Sequence, residues 1–258
     1  MDIDLVYLPV GERAEALEAI AAALDRLAGN IEKTLSGVRV SRRYADREDA
    51  LGLIVGQDGA SVKIELSPVL RGTVYEARSL PVVAAVEEEF GFAEVPVVAF
   101  EDLYAGKICA ALDRQHPRDL FDVKLLLDNE GLTESLKKAL LVYLISHPRP
   151  MEELLAPRFQ ALDGVYTGEF EGMTLIDVPL AELEAARTRL VDELIDVLNE
   201  DDKAFLCRVY EGVPAWSRLD LEGVNELPAV RWKLLNVSRM SEKKRAVALQ
   251  RLREVLGS

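Results

Sequence analysis

The sequence predicts an α+β protein: a small mixed β-sheet with helices, followed by a helical C-terminal region. Three observations predict it. Short apolar runs of strand length, separated by turn signals, are confined to the first hundred or so residues. From Glu101 onward, apolar residues recur almost wholly at helical spacing. The chain has 258 residues, of which 49% are hydrophobic, enough to build a core without disulfide or metal staples.

The first strand is Asp2-Ile3-Asp4-Leu5-Val6-Tyr7-Leu8. Strand side chains alternate, so Asp2 and Asp4 share one face while Ile3, Leu5 and Tyr7 share the other. Arg13 to Ala28 reads as a helix, with Leu17, Ile20, Leu24 and Leu27 at helical spacing and Gly29-Asn30 as its stop. Val38 to Tyr44, Leu51 to Val55 and Val62 to Leu66 read as strands, and Gln57-Asp58-Gly59 joins the last two as a hairpin. Val95 to Phe100 closes the β-rich part. Helices are then expected at Glu101 to Arg114, Pro117 to about Asp128, Ser135 to Ile145, Leu180 to Leu198, Lys203 to Tyr210, Ala229 to Val237 and Lys243 to Leu256. Pro117 suits a first helical turn, Gly131 a stop, and Ser241 an N-cap. A turn-rich linker is expected from Gly164 to Pro179. Residues 1–130 form the expected N-terminal core and 131–258 the helical C-terminal region.

Bulk composition narrows the function classes. There are 45 acidic and 31 basic residues, a formal net charge of -14. Such a chain does not attract nucleic acid by its average field, so an RNA partner needs a local basic patch or a bridging metal. Cys109 and Cys207 are too few and too far apart for a disulfide framework or zinc site, and both are expected as buried thiols in a reducing cytoplasm. No signal peptide or membrane span is expected.

Carboxylates on neighbouring strands repel unless a cation neutralises them. Asp2 and Asp4 with Glu65, in Ser61-Val62-Lys63-Ile64-Glu65-Leu66-Ser67, are the pattern that holds two magnesium ions over a phosphate in transfer. Two readings stand for Lys63: contact with phosphate, or a salt bridge that balances the acids. In Glu101 to Arg114, Lys107 sits on a mostly apolar helix with Ala111 and Arg114 on its face, where its ammonium is expected to emerge as a point charge toward a triphosphate. Asp119 and Asp122 share a face of the next helix; Asp119 is expected to orient Lys107 or touch the nucleotide. The plainer reading, favoured for Arg118 and Asp122, is an ion-pair network fixing the two helices. His116 and His147 lie at helix boundaries with no nucleophile beside them, and Trp216 and Trp232 read as helix-packing residues. Arg239, Lys243, Lys244, Arg245, Arg251 and Arg253 are either a solvated face or the RNA-contacting patch.

Asp2-Ile3-Asp4-Leu5, Lys63-Ile64-Glu65, the Lys107 segment and Arg118-Asp119-Leu120-Phe121-Asp122 occur in the order and rough spacing of the AbiEii/AbiGii toxin family. Leu227-Pro228-Ala229-Val230-Arg231-Trp232-Lys233-Leu234-Leu235-Asn236 also resembles it, so the likeness covers nearly the whole chain. The resemblance implies a nucleotidyltransferase core of the DNA polymerase β superfamily in residues 1–130. It implies Mg²⁺ on Asp2, Asp4 and Glu65, and NTP binding by Lys63, Lys107, Asp119 and Asp122. It further implies a cytoplasmic toxin of a toxin–antitoxin pair, with a cognate antitoxin and an RNA acceptor, tRNA above all. The family carries a Gly-Gly-Thr or Gly-Ser element and a helix before its Asp-x-Asp strand. This chain starts immediately before Asp2, so the core is expected to be N-terminally incomplete, with a longer parent upstream. The alternatives are a catalytically decayed nucleotide- or protein-binding module, and transfer to a protein hydroxyl.

Overall fold

The computed structural model describes residues 2–45 and 51–257. The chain divides into two compact units, residues 1–73 with 226–229, and residues 74–225 with 230–258. Compactness thus divides the chain near residue 73, inside the motif-bearing segment that the sequence reading carried to 130.

The first unit is a four-stranded sheet in the order β1-β4-β3-β2 with one helix against it. The strands are β1 (Asp2–Leu5), β2 (Arg39–Arg42), β3 (Gly52–Gln57) and β4 (Ala60–Leu66), and the helix is α1 (Arg13–Thr34). β1 runs parallel to β4, while β2–β3 and β3–β4 are antiparallel, so the sheet is mixed as expected. Asp58 and Gly59 both take positive φ, the backbone a two-residue hairpin turn demands. Ile20, Leu24 and Ala28 of α1 bury against Leu51, Leu53 and Ile64. Alternation then sends Lys63 and Glu65 to the opposite face of β4.

Two expectations fail here for identifiable reasons. α1 does not stop at Gly29-Asn30 but runs to Thr34. Ile31 packs on the core and Gly29 meets open space, so burial outweighs the glycine penalty of about 1 kcal/mol. β1 ends at Leu5 rather than Leu8, because the Tyr7 carbonyl accepts from the Gly72 N–H at 2.8 Å, outside the ladder.

The second unit is helical apart from one antiparallel pair, β5 (Arg78–Pro81) and β6 (Glu94–Val97), separated by α2 (Ala84–Phe90). The helices that follow are α3 (Phe100–Arg114), α4 (Pro117–Asn129), α5 (Glu134–Ser146), α6 (Met151–Leu155), α7 (Asp163–Glu169), α8 (Leu180–Val197), α9 (Glu200–Glu211), α10 (Pro228–Ser238) and α11 (Glu242–Leu256). β5, α2 and α6 lie where no element was expected, and α7 occupies the start of the expected linker. α7 is held by aromatic contacts, Tyr166 to Phe170 and Phe170 to Phe121 of α4, each with ring centres 5.7 Å apart. The long helices form where the apolar spacing predicts them. Ile108 and Leu112 of α3, Leu120 and Leu126 of α4, Leu136 and Leu140 of α5, and Leu190 of α8 are fully buried.

Helix starts follow local chemistry. Thr133 caps α5, Asn199 and Asp202 form a capping box on α9, and the Ser241 hydroxyl caps α11 as the sequence predicts. Cys109 and Cys207 are buried thiols rather than disulfide halves, and burial pushes the Cys109 thiol up to about 12. Trp216 packs edge-on against Phe205, but Trp232 is 55% exposed and is not a packing residue. Among the described residues, no helix is long and apolar enough to cross a membrane.

Candidate functional site

Each unit carries part of the residue set singled out in the sequence. In the first, the β1–β4 register pairs Asp2 with Lys63 and Asp4 with Glu65. Partners on adjacent strands are about 4.8 Å apart, and side chains in register on parallel strands point the same way. Asp2, Asp4, Lys63 and Glu65 therefore share the face turned away from α1. β3 adds Gly52 opposite Glu65 and Ile54 opposite Lys63. The convergence expected of the three acids is real at the level of the backbone.

The side chains qualify that convergence. One oxygen of Glu65 lies 2.6 Å from the Lys63 ammonium, and the other accepts from Arg43 at 3.0 Å. Asp2 and Asp4 have no ion-pair partner among the described residues. Among the described residues, no three Asp, Glu, His or Cys side chains are gathered closely enough to hold a metal ion. Glu65 is turned toward its cations, which act as the counter-charge that adjacent carboxylates require. The donor set still fits magnesium in kind: carboxylate oxygens on neighbouring strands, with two of the acids exposed and without an ion-pair partner among the described residues. A divalent ion binding Glu65 would exchange with Lys63 and Arg43.

In the second unit, α3 and α4 meet across two ion pairs. The Lys107 ammonium bonds Asp122, both about one-third exposed. Arg114 holds Asp119 with a bidentate grip, Nε to Oδ2 at 2.6 Å and Nη2 to Oδ1 at 2.7 Å. Asp119 thus orients Arg114, and Asp122 orients Lys107. This is a different partnering from the one expected; it matches the ion-pair network foreseen for Asp122 but not for Arg118, which lies 3.9 Å from Glu169 of α7 rather than against α3. The geometry comes from a tight turn: Gln115 takes positive φ, His116 caps α4 through its side chain, and Pro117 occupies the first turn. Asp119, in that first turn, is favourably placed at the positive end of the helix.

Asp102, near the start of α3, has no spacing in the sequence that assigns it a role. Only 2% exposed, it accepts from the Val74 N–H at 2.7 Å, the Tyr75 N–H at 2.9 Å and the Tyr143 hydroxyl at 3.0 Å. Burial raises its carboxyl above the usual range, against the lowering effect of these bonds. It ties the 74–75 segment and α5 to α3.

Both histidines make local contacts at helix boundaries. His116 caps α4 and contacts Glu169 at 3.2 Å. His147 accepts from the Arg149 N–H, and burial lowers its pKa. Of the basic cluster, Arg253 bonds Glu211 at 3.1 Å, while Lys243, Lys244 and Arg251 line a cavity of about 480 Å³ beside Glu152, Val247 and Ala248.

Comparison with known proteins places these features in a family. Residues 1–236 match the sequence profile of the nucleotidyl transferase AbiEii toxin of type IV toxin–antitoxin systems. Among solved structures, the fold is similar to that of MenT4, a nucleotidyltransferase toxin from Mycobacterium tuberculosis. The two are 16% identical with a TM-score of 0.54, and the match covers 97% of this chain and 77% of that one. No curated protein matches the chain.

Proposed function

The chain belongs to the AbiEii family of nucleotidyltransferase toxins of type IV toxin–antitoxin systems, and on that premise we propose that it moves a nucleotidyl group from a nucleoside triphosphate to RNA, with tRNA the first acceptor to test. Membership also implies an antitoxin partner. We place the activity in the cytoplasm, where nucleotide and acceptor both are. The observation that carries the reading is the register that sets Asp4 beside Glu65 and Asp2 beside Lys63.

The reaction forms a bond between an acceptor hydroxyl oxygen and the α-phosphorus. It breaks the bond to the β-phosphate bridge, releases pyrophosphate and frees the hydroxyl proton. Asp2, Asp4 and Glu65 would hold Mg²⁺, which supplies counter-charge to the phosphates and makes a nearby hydroxyl more acidic. An ion on Glu65 would compete with its pairs to Lys63 and Arg43, and displacement would free two cations for phosphate oxygens. Lys107 is assigned to nucleotide contact by the family resemblance, with Asp122 holding its ammonium in place. Asp119 carries the same assignment while holding Arg114. Lys243, Lys244 and Arg251 on α11 are the proposed RNA-contacting cations of an otherwise acidic protein.

The test is incubation of the full chain with each α-labelled NTP, Mg²⁺ and total tRNA. Labelled RNA is expected, falling at least about 100-fold in Asp4→Asn, which removes one of the carboxylate charges that would hold the metal. Absence of labelled RNA, or equal labelling by Asp4→Asn, contradicts the proposal. Label on protein instead points to a protein hydroxyl as acceptor.

A further inference from the structure

The loop that leaves β4 in the first unit contains a buried guanidinium with no ion-pair partner in contact among the described residues. Arg71 is only 5% exposed, and its Nε and Nη1 are buried with no hydrogen-bond partner. A buried guanidinium whose nitrogens lack hydrogen-bond partners is among the costliest arrangements in a folded chain. The loop is not slack enough to let it escape. The Ser67 hydroxyl accepts from the N–H groups of Val69 and Leu70, and the Gly72 N–H donates to the Tyr7 carbonyl at 2.8 Å. Gly72 takes positive φ, and a Cβ there would lie 2.7 Å from Leu227 Cδ2 and 3.0 Å from Val10 Cγ2. Arg71 is therefore pinned between two anchors, beside the segment that enters α1.

That segment is itself short of acceptors. The N-cap residue of α1, Glu12, makes no side-chain cap, and the first helical bond is Ala16 N–H to Glu12 carbonyl. The N–H groups of Arg13, Ala14 and Glu15 point out of the helix start with no helical acceptor. The charged groups that act on Arg71 are Arg13, Tyr7 and Glu12, all from this segment. Arg13 repels it, Glu12 and Tyr7 attract it, and burial dominates, lowering its pKa. β1 and β4 are parallel, so this loop and the α1 entry lie at the same end of the sheet, past Asp4 and Glu65.

We propose that Arg71, Arg13 and the first turn of α1 form an anion site that takes a phosphate group. A phosphoryl group has enough oxygens to meet the fork of Arg71 and the helix amides together. The choice of phosphate over another anion rests on the nucleotidyl-transfer reading; the anion site itself does not. The phosphate has two possible sources, the polyphosphate tail of the nucleotide or a phosphate of the RNA acceptor.

The test titrates the full chain with inorganic pyrophosphate in EDTA, so that metal on the acidic face takes no part. Calorimetry should show saturable binding that weakens with salt. Arg71→Met should weaken it about tenfold or more, the loss of a bidentate charge-assisted pair. Without ligand, Arg71→Met should melt at or above the wild-type temperature, because a buried unpaired charge has gone. Arg13→Gln, exposed and remote from the core, should also weaken binding and keeps the test valid if Arg71→Met fails to fold. No binding to wild type, or equal binding by both variants, overturns the proposal. So does an unliganded Arg71→Met that melts well below wild type while binding pyrophosphate normally. Competition by a non-hydrolysable triphosphate assigns the site to the nucleotide, and competition by a 5′-phosphorylated oligoribonucleotide assigns it to the acceptor; competition by neither overturns the phosphate assignment. Pyrophosphate binding without transfer activity leaves this site standing and counts against the enzymatic reading. Transfer with unaltered Arg71→Met kinetics does the reverse.

Discussion

Replacing Gly52 by Ala sets one methyl group against the β3–β4 ladder directly opposite Glu65. An ideal Cβ at Gly52 would lie 2.5 Å from the Ile64 carbonyl oxygen and 3.5 Å from the Glu65 Cα. Both are backbone atoms, so no side-chain rotation relieves the clash. Reaching ordinary contact at 3.4 Å from 2.5 Å requires the strands to part by 0.9 Å, and even the tightest tolerated 3.0 Å requires 0.5 Å. Overpacking of this kind costs about 1–3 kcal/mol. For a unit of this size, each kcal/mol is about 4–8 °C, so its melting temperature should fall by roughly 5–20 °C. The displacement falls on Glu65, and misplacement near 1 Å costs about 100-fold in rate, so transfer should drop about 10- to 100-fold where the variant is still folded. Differential scanning calorimetry and labelled-nucleotide transfer measure the two effects. A variant that melts within about 2 °C of wild type and transfers at full rate would refute the claim that this approach holds the acidic face in shape.

Two further perturbations separate function from scaffold. Lys107→Met removes an ion pair about one-third exposed and worth about 0–1 kcal/mol, so the melting temperature should barely move while transfer falls steeply; a large stability loss with normal kinetics would make Lys107 a helix clamp only. Asp102→Ala leaves three donors without an acceptor, at about 1–3 kcal/mol each, so the second unit should lose roughly 3–9 kcal/mol in a urea melt. Asp102 also gives a signed pH effect. Its folded pKa is raised, so the folded state holds the proton above pH 3.8 where the unfolded chain releases it. Stability from this group is present at low pH and is lost as pH rises through the raised value. The advantage of wild type over Asp102→Asn should therefore shrink as pH rises from that window; an advantage that grows would show the hydrogen bonds outweigh burial.

Much of the fold can be read from periodicity because most long helices bury a regular apolar stripe. Leu120, Val123, Leu126 and Leu127 of α4 are one such stripe, and all are buried. The Asp58-Gly59 turn was legible because both residues tolerate positive φ. α2, α6 and α7 were not legible, being too short to repeat a pattern. The continuation of α1 past Gly29-Asn30 was hidden because it depends on Ile31 reaching the core, a tertiary fact. In the site, alternation alone put Asp2 with Asp4 and Lys63 with Glu65, and the parallel register then joined the two pairs. The partners of Lys107 and Asp119 were not legible: which carboxylate meets which cation depends on how α3 and α4 pack after the Gln115 turn. Arg43 and Arg71 had no local signature, since one reaches Glu65 across the sheet and the other is buried only by the fold of its loop.

In the proposed reaction the acids of β1 and β4 act together on a divalent ion. Diffraction from crystals of the full chain soaked with Mn²⁺ and a non-hydrolysable triphosphate tests it most directly, because manganese is located by its anomalous signal. An ion is predicted within about 2.0–2.3 Å of carboxylate oxygens of Asp2, Asp4 and Glu65, with Lys63 and Arg43 displaced from Glu65. Glu65 still paired with both cations, and manganese bound elsewhere or not at all, would contradict the account.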